Sequence, residues 1–141
     1  IYAGTRTITE YRILDAPDLD LDALGSFDLG GMAVEVIDPV ADYAELMGSL
    51  FDFEAIRRQF RSGFRMAFDA MHAVTGPYEH RILEGMLGAP GGTVINCTPS
   101  PDFGGGHPDP NPTYADQLVA VMHANDAPDF GAASDGERGP H

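Results

Sequence analysis

Two short stretches of the sequence combine residue types that could carry chemistry. The first, DFGGGHPDPN (residues 102–111), places a histidine and carboxylates among glycines and prolines. The second, SDGE (134–137), places Asp135 and Glu137 on either side of a glycine. Both stretches are predicted loops, where the ligand sites of α/β folds gather. An exposed acidic tail is the alternative interpretation of residues 135–137.

Both stretches follow strands of a predicted β-α-β-α-β pattern in the second half of the chain. The predicted elements are a strand at 64–70, a helix at 76–87, a strand at 93–97, a helix at 112–125 and a strand at 130–134. Asn111 is expected to cap the second helix, with Pro112 in its first turn. Ligand sites of such folds gather at the loops after the carboxyl ends of the parallel strands. We therefore expect both stretches at one edge of the sheet.

The first half of the chain predicts two strands and two helices. Residues 5–14 favour a strand followed by an irregular connection, and 34–37 form a second short strand between breakers. Asp52 is predicted to cap a helix that ends at Ser62-Gly63. The buried face of the preceding helix would comprise Tyr43, Leu46, Met47, Leu50 and Phe51. The fold class predicted for the chain is α/β, with a single mixed, largely parallel sheet covered by helices.

Composition limits the partners that the chain could have. Its 141 residues, 43% hydrophobic, suffice for one compact domain. The formal net charge is -14 and all basic residues are arginines, so nucleic acid is a poor partner. No run approaches the roughly 18 apolar residues of a membrane span, and we expect no membrane partner and a cytoplasmic location. The single Cys97 is predicted to be a small buried hydrophobe without redox chemistry.

Three further histidines are predicted to have structural or surface positions. His72 follows a strand and is expected to support the loop there. His80 and His123 fall on predicted helices with no carboxylate or cysteine partner at metal-ligand spacing. Surface positions therefore account for both.

Four strings resemble the second domain of phosphoglucomutases in the α-D-phosphohexomutase superfamily. They are VEVIDPVADYAELM, FDAMHAVTGPY, TVINCTPSPDFGGGHPDPNPTYADQLV and DFGAASDG, in this order. The resemblance covers nearly the whole chain from Val34 to Gly136. It implies that residues 34–141 are a second, metal-loop domain truncated at its carboxyl end, and that residues 1–33 are the end of the preceding domain and a connector. It also implies that the chain is an internal fragment of a four-domain enzyme.

The resemblance implies a reaction and its cofactors. Members of the family interconvert glucose 1-phosphate and glucose 6-phosphate through a phosphoserine, with glucose 1,6-bisphosphate as the intermediate. Three aspartates of a DGDGDR loop hold Mg²⁺. A divalent cation suits this chemistry because phosphoryl transfer concentrates negative charge on oxygens.

The sequence departs from the family pattern at this metal loop, and two alignments remain open. Without a gap, Glu137 occupies the second aspartate position, Gly139 the third and Pro140 that of the substrate-contacting arginine. With a gap of two residues, Glu137 occupies the third aspartate position and Arg138 that of the arginine. The resemblance thus implies Asp135 and Glu137 as metal ligands and Arg138 as a substrate-binding residue.

The glycine-rich loop departs from the family pattern at one position. DFGGGHPDPN corresponds to DFGGHHPDPN, so Gly106 stands where the family has the first histidine of a pair, and His107 remains. The resemblance implies that His107 is a residue of the active-site cleft, which would donate a hydrogen bond to phosphate or to the phosphoserine region. The alternative is a loop histidine that orders the PDP turn.

Three family motifs are not found in the sequence: a TASHNP-like serine motif, a GEESFG-like sugar loop and a basic SGT-containing phosphate loop. In-line transfer needs donor, metal and acceptor together, so we expect the isolated chain to be inactive and its sugar phosphate partner to bind only with the remaining mutase domains. The alternative is a catalytically dead, free-standing binding or interaction module. A simple acidic cation-binding protein is a third, weaker hypothesis that rests on charge alone.

Overall fold

The computed structural model describes residues 2–11 and 13–136. The chain divides into two compact units, residues 1–39 and 40–141. No helix within the described ranges is long and apolar enough to cross a membrane.

The first unit is built around a β-hairpin. After a short helix α1 (Tyr2–Thr5), strands β1 (Gly25–Leu29) and β2 (Met32–Val36) pair antiparallel. Gly30 and Gly31 form the two-residue turn, with φ of 62° and 86°, a conformation that glycine adopts without a Cβ penalty. The strand predicted at 34–37 is confirmed. The strand predicted at 5–14 is wrong, since no described residue of that range lies in a strand, and β1 lies where an irregular connection was predicted.

Two helices begin the second unit, α2 (Pro39–Leu50) and α3 (Phe53–Arg61). Asp52 caps α3 as predicted, because its Oδ1 accepts a hydrogen bond from the Ala55 N–H at 2.8 Å. Helix α2 is also confirmed, and its predicted buried face is right in part. Tyr43 packs against the core and Met47 is half-buried, whereas Leu46, Leu50 and Phe51 are exposed. The fully buried residues of the helix are Val40 and Ala44.

A three-stranded parallel sheet forms the centre of the second unit. Strand β3 (Met66–Asp69) lies between β4 (Val94–Ile95) and β5 (Phe130–Ala133), and Phe68 stands opposite Val94 on one side and Ala132 on the other. All three predicted strands of this half are confirmed, and so is the predicted α/β fold class. One apolar cluster of buried residues comprises Ala44, Phe60, Ile82, Leu87 and Ala89. A second comprises Ala67, Met71, Ala115 and Leu118.

The helix predicted at 76–87 consists of α4 (Gly76–Glu79) and a π-helix (His80–Met86). Glu84 of the π-helix accepts hydrogen bonds from the backbone N–H groups of Gly92 and Val94, which fixes the start of β4. The prediction that His80 has no carboxylate partner is wrong, because its Nε2 lies 3.4 Å from Glu84. His80 and His123 are both exposed, as predicted.

Helix α5 (Asp116–Met122) is shorter than the helix predicted at 112–125. Asn111 Oδ1 accepts from the Thr113 N–H at 2.9 Å and also bonds the Tyr114 N–H. The asparagine therefore closes a turn of its own instead of capping the helix, and α5 begins only after that turn. Cys97 is half-buried, so the prediction of a buried thiol is also wrong.

Candidate functional site

Three loops meet at the carboxyl edge of the parallel sheet. We name them the β3 loop (residues 70–75), the β4 loop (96–111) and the β5 loop (134–136). Because parallel strands end at the same edge, the topology brings these loops together. Residues 102–111 of the first stretch and 134–136 of the second lie here, as expected.

His72 joins the β3 and β4 loops. Its backbone N–H donates to the Asn96 carbonyl and its carbonyl accepts from the Ser100 N–H, both at 2.9 Å. Its ring Nδ1 lies 3.0 Å from the Thr98 carbonyl oxygen. A carbonyl only accepts, so Nδ1 carries a proton in this contact. The contacts agree with the structural role predicted for His72.

Gly76, just after the β3 loop, permits a close approach to the β4 loop. A Cβ at this position would lie 2.0 Å from the Cys97 carbonyl oxygen. The glycine is required by this contact with a backbone atom, which no side-chain movement could relieve.

Asp69 at the end of β3 is a buried carboxylate, only 2% exposed, that was not among the residues predicted for the site. Its Oδ1 accepts from the Met71 N–H at 2.8 Å and from Asn96 Nδ2 at 2.9 Å. Asn96 Nδ2 also donates to Gln117 Oε1 at 3.1 Å. Its position could have been recognised from the sequence, because an aspartate stands there at the carboxyl end of an apolar strand.

The β5 loop is anchored on both sides of Asp135. On one side, the Ser134 N–H donates to the Asp69 carbonyl at 3.1 Å, and Ser134 Oγ lies 2.5 Å from Thr75 Oγ1. On the other side, the Gly136 N–H donates to the Pro108 carbonyl at 2.9 Å. Asp135 is half-buried between these anchors. Its carboxylate therefore projects from a backbone that hydrogen bonds fix before and after it.

A polar cavity of about 240 Å³ opens between the β3 loop, the β4 loop and α5. Its walls include Asp69, Asn96, His107, Asp116 and Gln117. Every non-glycine residue with positive φ in the described ranges also lines it: Met71, His72, Asn96 and Phe103. Such backbone conformations cost of order 1 kcal/mol or more each and cluster at functional sites. The clustering favours this edge as the candidate site.

A larger cavity of about 330 Å³ lies at the opposite edge, where β3 and β4 begin. Arg65 contributes to its wall, but the guanidinium already donates to the carbonyls of Asp126 and Ala127. Neither Asp135 nor His107 is among the residues that line it. Size alone therefore does not identify the functional site.

The segment at 100–107 is ordered by its own side chains. Asp102 Oδ1 accepts from the Ser100 hydroxyl and from the Gly104 N–H. The pKa of the exposed Asp102 carboxyl is lowered below its ordinary value. The main cause is the hydrogen bond from the Ser100 hydroxyl, and the bond from the Gly104 amide is the next largest. The exposed His107 ring stacks on Tyr114 with centroids 4.3 Å apart and an interplanar angle of 13°. His107 thus lies at the rim of the cavity, and its predicted role stays a prediction.

The predicted metal ligands are only partly within the described residues. Asp135 lies at the candidate edge, whereas Glu137 and Arg138 fall outside the described ranges. Among residues 2–11 and 13–136, no group of three histidine, cysteine, aspartate or glutamate side chains could hold a metal ion. The described residues therefore supply only part of a Mg²⁺ site, because Mg²⁺ needs more oxygen ligands than Asp135 supplies.

Similar proteins share this arrangement of elements. A crystal structure of the exocytosis-sensitive phosphoprotein pp63/parafusin, a phosphoglucomutase from Paramecium in its open form, superposes with a TM-score of 0.75 and 42% identity. The superposition covers 84% of this chain and 23% of that one.

Proteins similar to this chain in sequence are also named as phosphoglucomutases. A phosphoglucomutase of Rhizobium radiobacter is 56% identical over 137 residues, which is 97% of this chain and 25% of the relative. Chloroplastic phosphoglucomutase 1 of Marchantia polymorpha is 53% identical over 138 residues, 97% of this chain and 21% of the relative. The chain thus spans about a quarter of the length of these relatives. Residues 41–138 match the family model for phosphoglucomutase/phosphomannomutase, alpha/beta/alpha domain II, and the chain belongs to that family.

Proposed function

We propose that this chain is the second-domain segment of a phosphoglucomutase that interconverts glucose 1-phosphate and glucose 6-phosphate. The observation that carries the proposal is the anchored β5 loop at the carboxyl edge of the sheet, in a chain of this family. The two neighbours of Asp135 are held there, Ser134 by β3 and Thr75, and Gly136 by Pro108, which follows His107 in the sequence. Domain boundaries at 1–33 and 34–141 are part of the proposal. The compact units divide a few residues later, between 39 and 40.

The roles proposed for individual residues follow the family pattern. Asp135 and Glu137 would bind Mg²⁺, Arg138 would bind the substrate, and His107 would donate a hydrogen bond at the cleft. When bound, Mg²⁺ supplies neutralisation of the charge that phosphoryl transfer concentrates on oxygens. The contribution of this chain is to hold Asp135 in place through the hydrogen bonds of Ser134 and Gly136.

The phosphoserine and the sugar-reading loop would come from other mutase domains, with glucose 1,6-bisphosphate as the intermediate. Positioning of donor and acceptor supplies much of the rate in phosphoryl transfer. We therefore expect the isolated 141-residue chain to show no turnover.

Calorimetric titration with Mg²⁺, alongside a coupled assay for glucose 6-phosphate, tests this proposal. We expect saturable Mg²⁺ binding that Asp135→Asn abolishes, without turnover. Asp126→Asn, an exposed carboxylate near the opposite edge of the sheet, is the matched control and should bind as the unsubstituted chain does. Binding that survives Asp135→Asn would contradict the assignment of the metal loop, and turnover would contradict the need for other domains.

A binding module without catalysis is the second candidate. Gly106 favours it, because a glycine stands where the family pattern has a histidine. Under this hypothesis Mg²⁺ would not bind specifically. The cytoplasmic location stays a prediction, since one similar phosphoglucomutase is named as chloroplastic.

A further inference from the structure

Gly136 makes an unusually close contact with the β4 loop. Its N–H donates to the Pro108 carbonyl at 2.9 Å. A Cβ on Gly136 would lie 2.7 Å from both Cβ and Cγ of Pro108 and 3.1 Å from Cε1 of Phe103. Gly136 is buried, although it is next to the half-buried Asp135. The Cα hydrogens of Gly136 therefore occupy a gap that admits no side chain.

Glycine is not needed here for its backbone conformation. Gly104 and Gly105 have φ of 67° and 77°, in the left-handed region, whereas φ of Gly136 lies outside that region. An alanine could adopt the backbone of Gly136 but could not fit beside Pro108. The requirement for glycine at this position is steric.

We propose that Gly136 is a positioning residue, which locks the β5 loop against the β4 loop and so fixes Asp135 relative to His107. The roles of Asp135 and His107 rest on the proposed function. The lock itself is a contact between two loops and is independent of any bound ion.

Contacts on both loops limit how far the residues around Gly136 can move apart. The Phe103 N–H donates to the Ser100 carbonyl at 3.0 Å, and the Phe103 carbonyl accepts from the Gly106 N–H at 3.1 Å. The ring of Pro108 is closed onto its own backbone nitrogen, so its side chain can change only its ring pucker. On the other side, Ser134 is tied to β3 and to Thr75. A Cβ at position 136 must therefore push the two loops apart, with loss of the Gly136 N–H bond.

Gly136→Ala in the 141-residue chain tests the lock by amide NMR and hydrogen exchange. We expect shifts at the amides of Gly104, Gly106 and His107, and faster exchange of the residue-136 amide by about tenfold, as loss of one hydrogen bond implies. Gly91→Ala is the matched control, because Gly91 has open space around it and no positive φ.

Rescue by a second substitution separates a steric lock from general damage. Pro108→Gly removes both contacting carbons and keeps the carbonyl acceptor, so the double variant Gly136→Ala/Pro108→Gly should exchange more slowly at residue 136 than Gly136→Ala alone. Pro108→Ala removes only Cγ and should rescue less. The single variant Pro108→Gly shows how far this substitution by itself changes exchange of the residue-136 amide.

Two results would overturn the proposal. One is a Gly136→Ala variant whose amide shifts and exchange rates change as little as those of Gly91→Ala. The other is a double variant with Pro108→Gly in which the residue-136 amide exchanges no more slowly than in Gly136→Ala alone. Failure of the chain to bind Mg²⁺ would contradict the proposed function and leave these NMR results unaffected. The proposed function and the positioning role of Gly136 can therefore be contradicted independently of each other.

Discussion

Ser134 Oγ lies 2.5 Å from Thr75 Oγ1, and this hydrogen bond joins the β5 loop to the β3 loop. Thr75 is 2% exposed, so its hydroxyl has little access to water. The pair therefore provides a side-chain link, in addition to the backbone bond from Ser134 to Asp69, immediately before the residue proposed to bind Mg²⁺.

Thr75→Val should destabilise the chain by about 1 kcal/mol, because it keeps the shape of the side chain and removes one hydrogen-bonding hydroxyl. Thr75→Ser keeps the hydroxyl and is the control for the lost bond. In urea unfolding, a double-mutant cycle with Ser134→Ala should give a coupling of about 1 kcal/mol. Additive effects of the two single substitutions would show that the hydroxyl pair contributes nothing.

Asp69→Ala should cost about 2 to 3 kcal/mol of unfolding free energy, because it leaves the Met71 N–H and the Asn96 amide without their acceptor. Asp69→Asn keeps an oxygen acceptor and is expected to cost less. Urea unfolding of both variants measures the difference. Equal costs for Ala and Asn would mean that the carboxylate oxygen does not organise the β3 and β4 loops.

Gly76→Ala should be strongly destabilising, by about 3 kcal/mol, since its Cβ would overlap the Cys97 carbonyl and force the backbone to move. Gly85→Ala is the matched control within the same helical segment, because no atom would lie within 4 Å of a Cβ at that position. That control should be neutral or slightly stabilising. Thermal unfolding of the two variants compares them directly, and similar melting temperatures would contradict the close approach.

Acidification should release the segment around Asp102. The folded pKa of this carboxyl is depressed by Ser100 and Gly104, so its ordering contacts are fully present above its ordinary pKa and are lost as pH falls through the folded value. Carboxyl-detected NMR titration measures the pKa. Ser100→Ala should raise it towards the ordinary value, while Ser100→Thr should keep it low. An unchanged pKa in Ser100→Ala would contradict the assigned cause.

Elements with strong local signals were predictable from the sequence. Asp52 precedes an apolar helical pattern and caps α3 as expected. The strands around Phe68, Val94 and Ala132 lie between breakers and helices, and all three form one parallel sheet. Local pattern sufficed because burial in a parallel sheet needs continuous apolar runs.

Other features depended on contacts that local pattern does not encode. Asn111 has the residue type of a helix cap, yet its side chain satisfies its own turn. Residues 5–14 have strand-like composition, but the hairpin forms at β1 and β2, where Gly30-Gly31 provides the turn. Gly136 became recognisable only once the loops were brought together, because its partners Phe103 and Pro108 lie far away in the sequence.

We expect this segment to be able to serve as the metal-loop domain of a phosphoglucomutase. The most direct measurement is turnover of Rhizobium radiobacter phosphoglucomutase in which residues 41–136 of this chain replace the matching segment, with the relative's own residues resuming afterwards. We predict activity within about tenfold of the parent enzyme, equivalent to about 1.4 kcal/mol. Asp135→Asn in the graft should lower it by about 100-fold or more, because metal stabilisation supplies several kcal/mol. A folded graft without activity, or a graft whose activity Asp135→Asn leaves unchanged, would contradict this expectation.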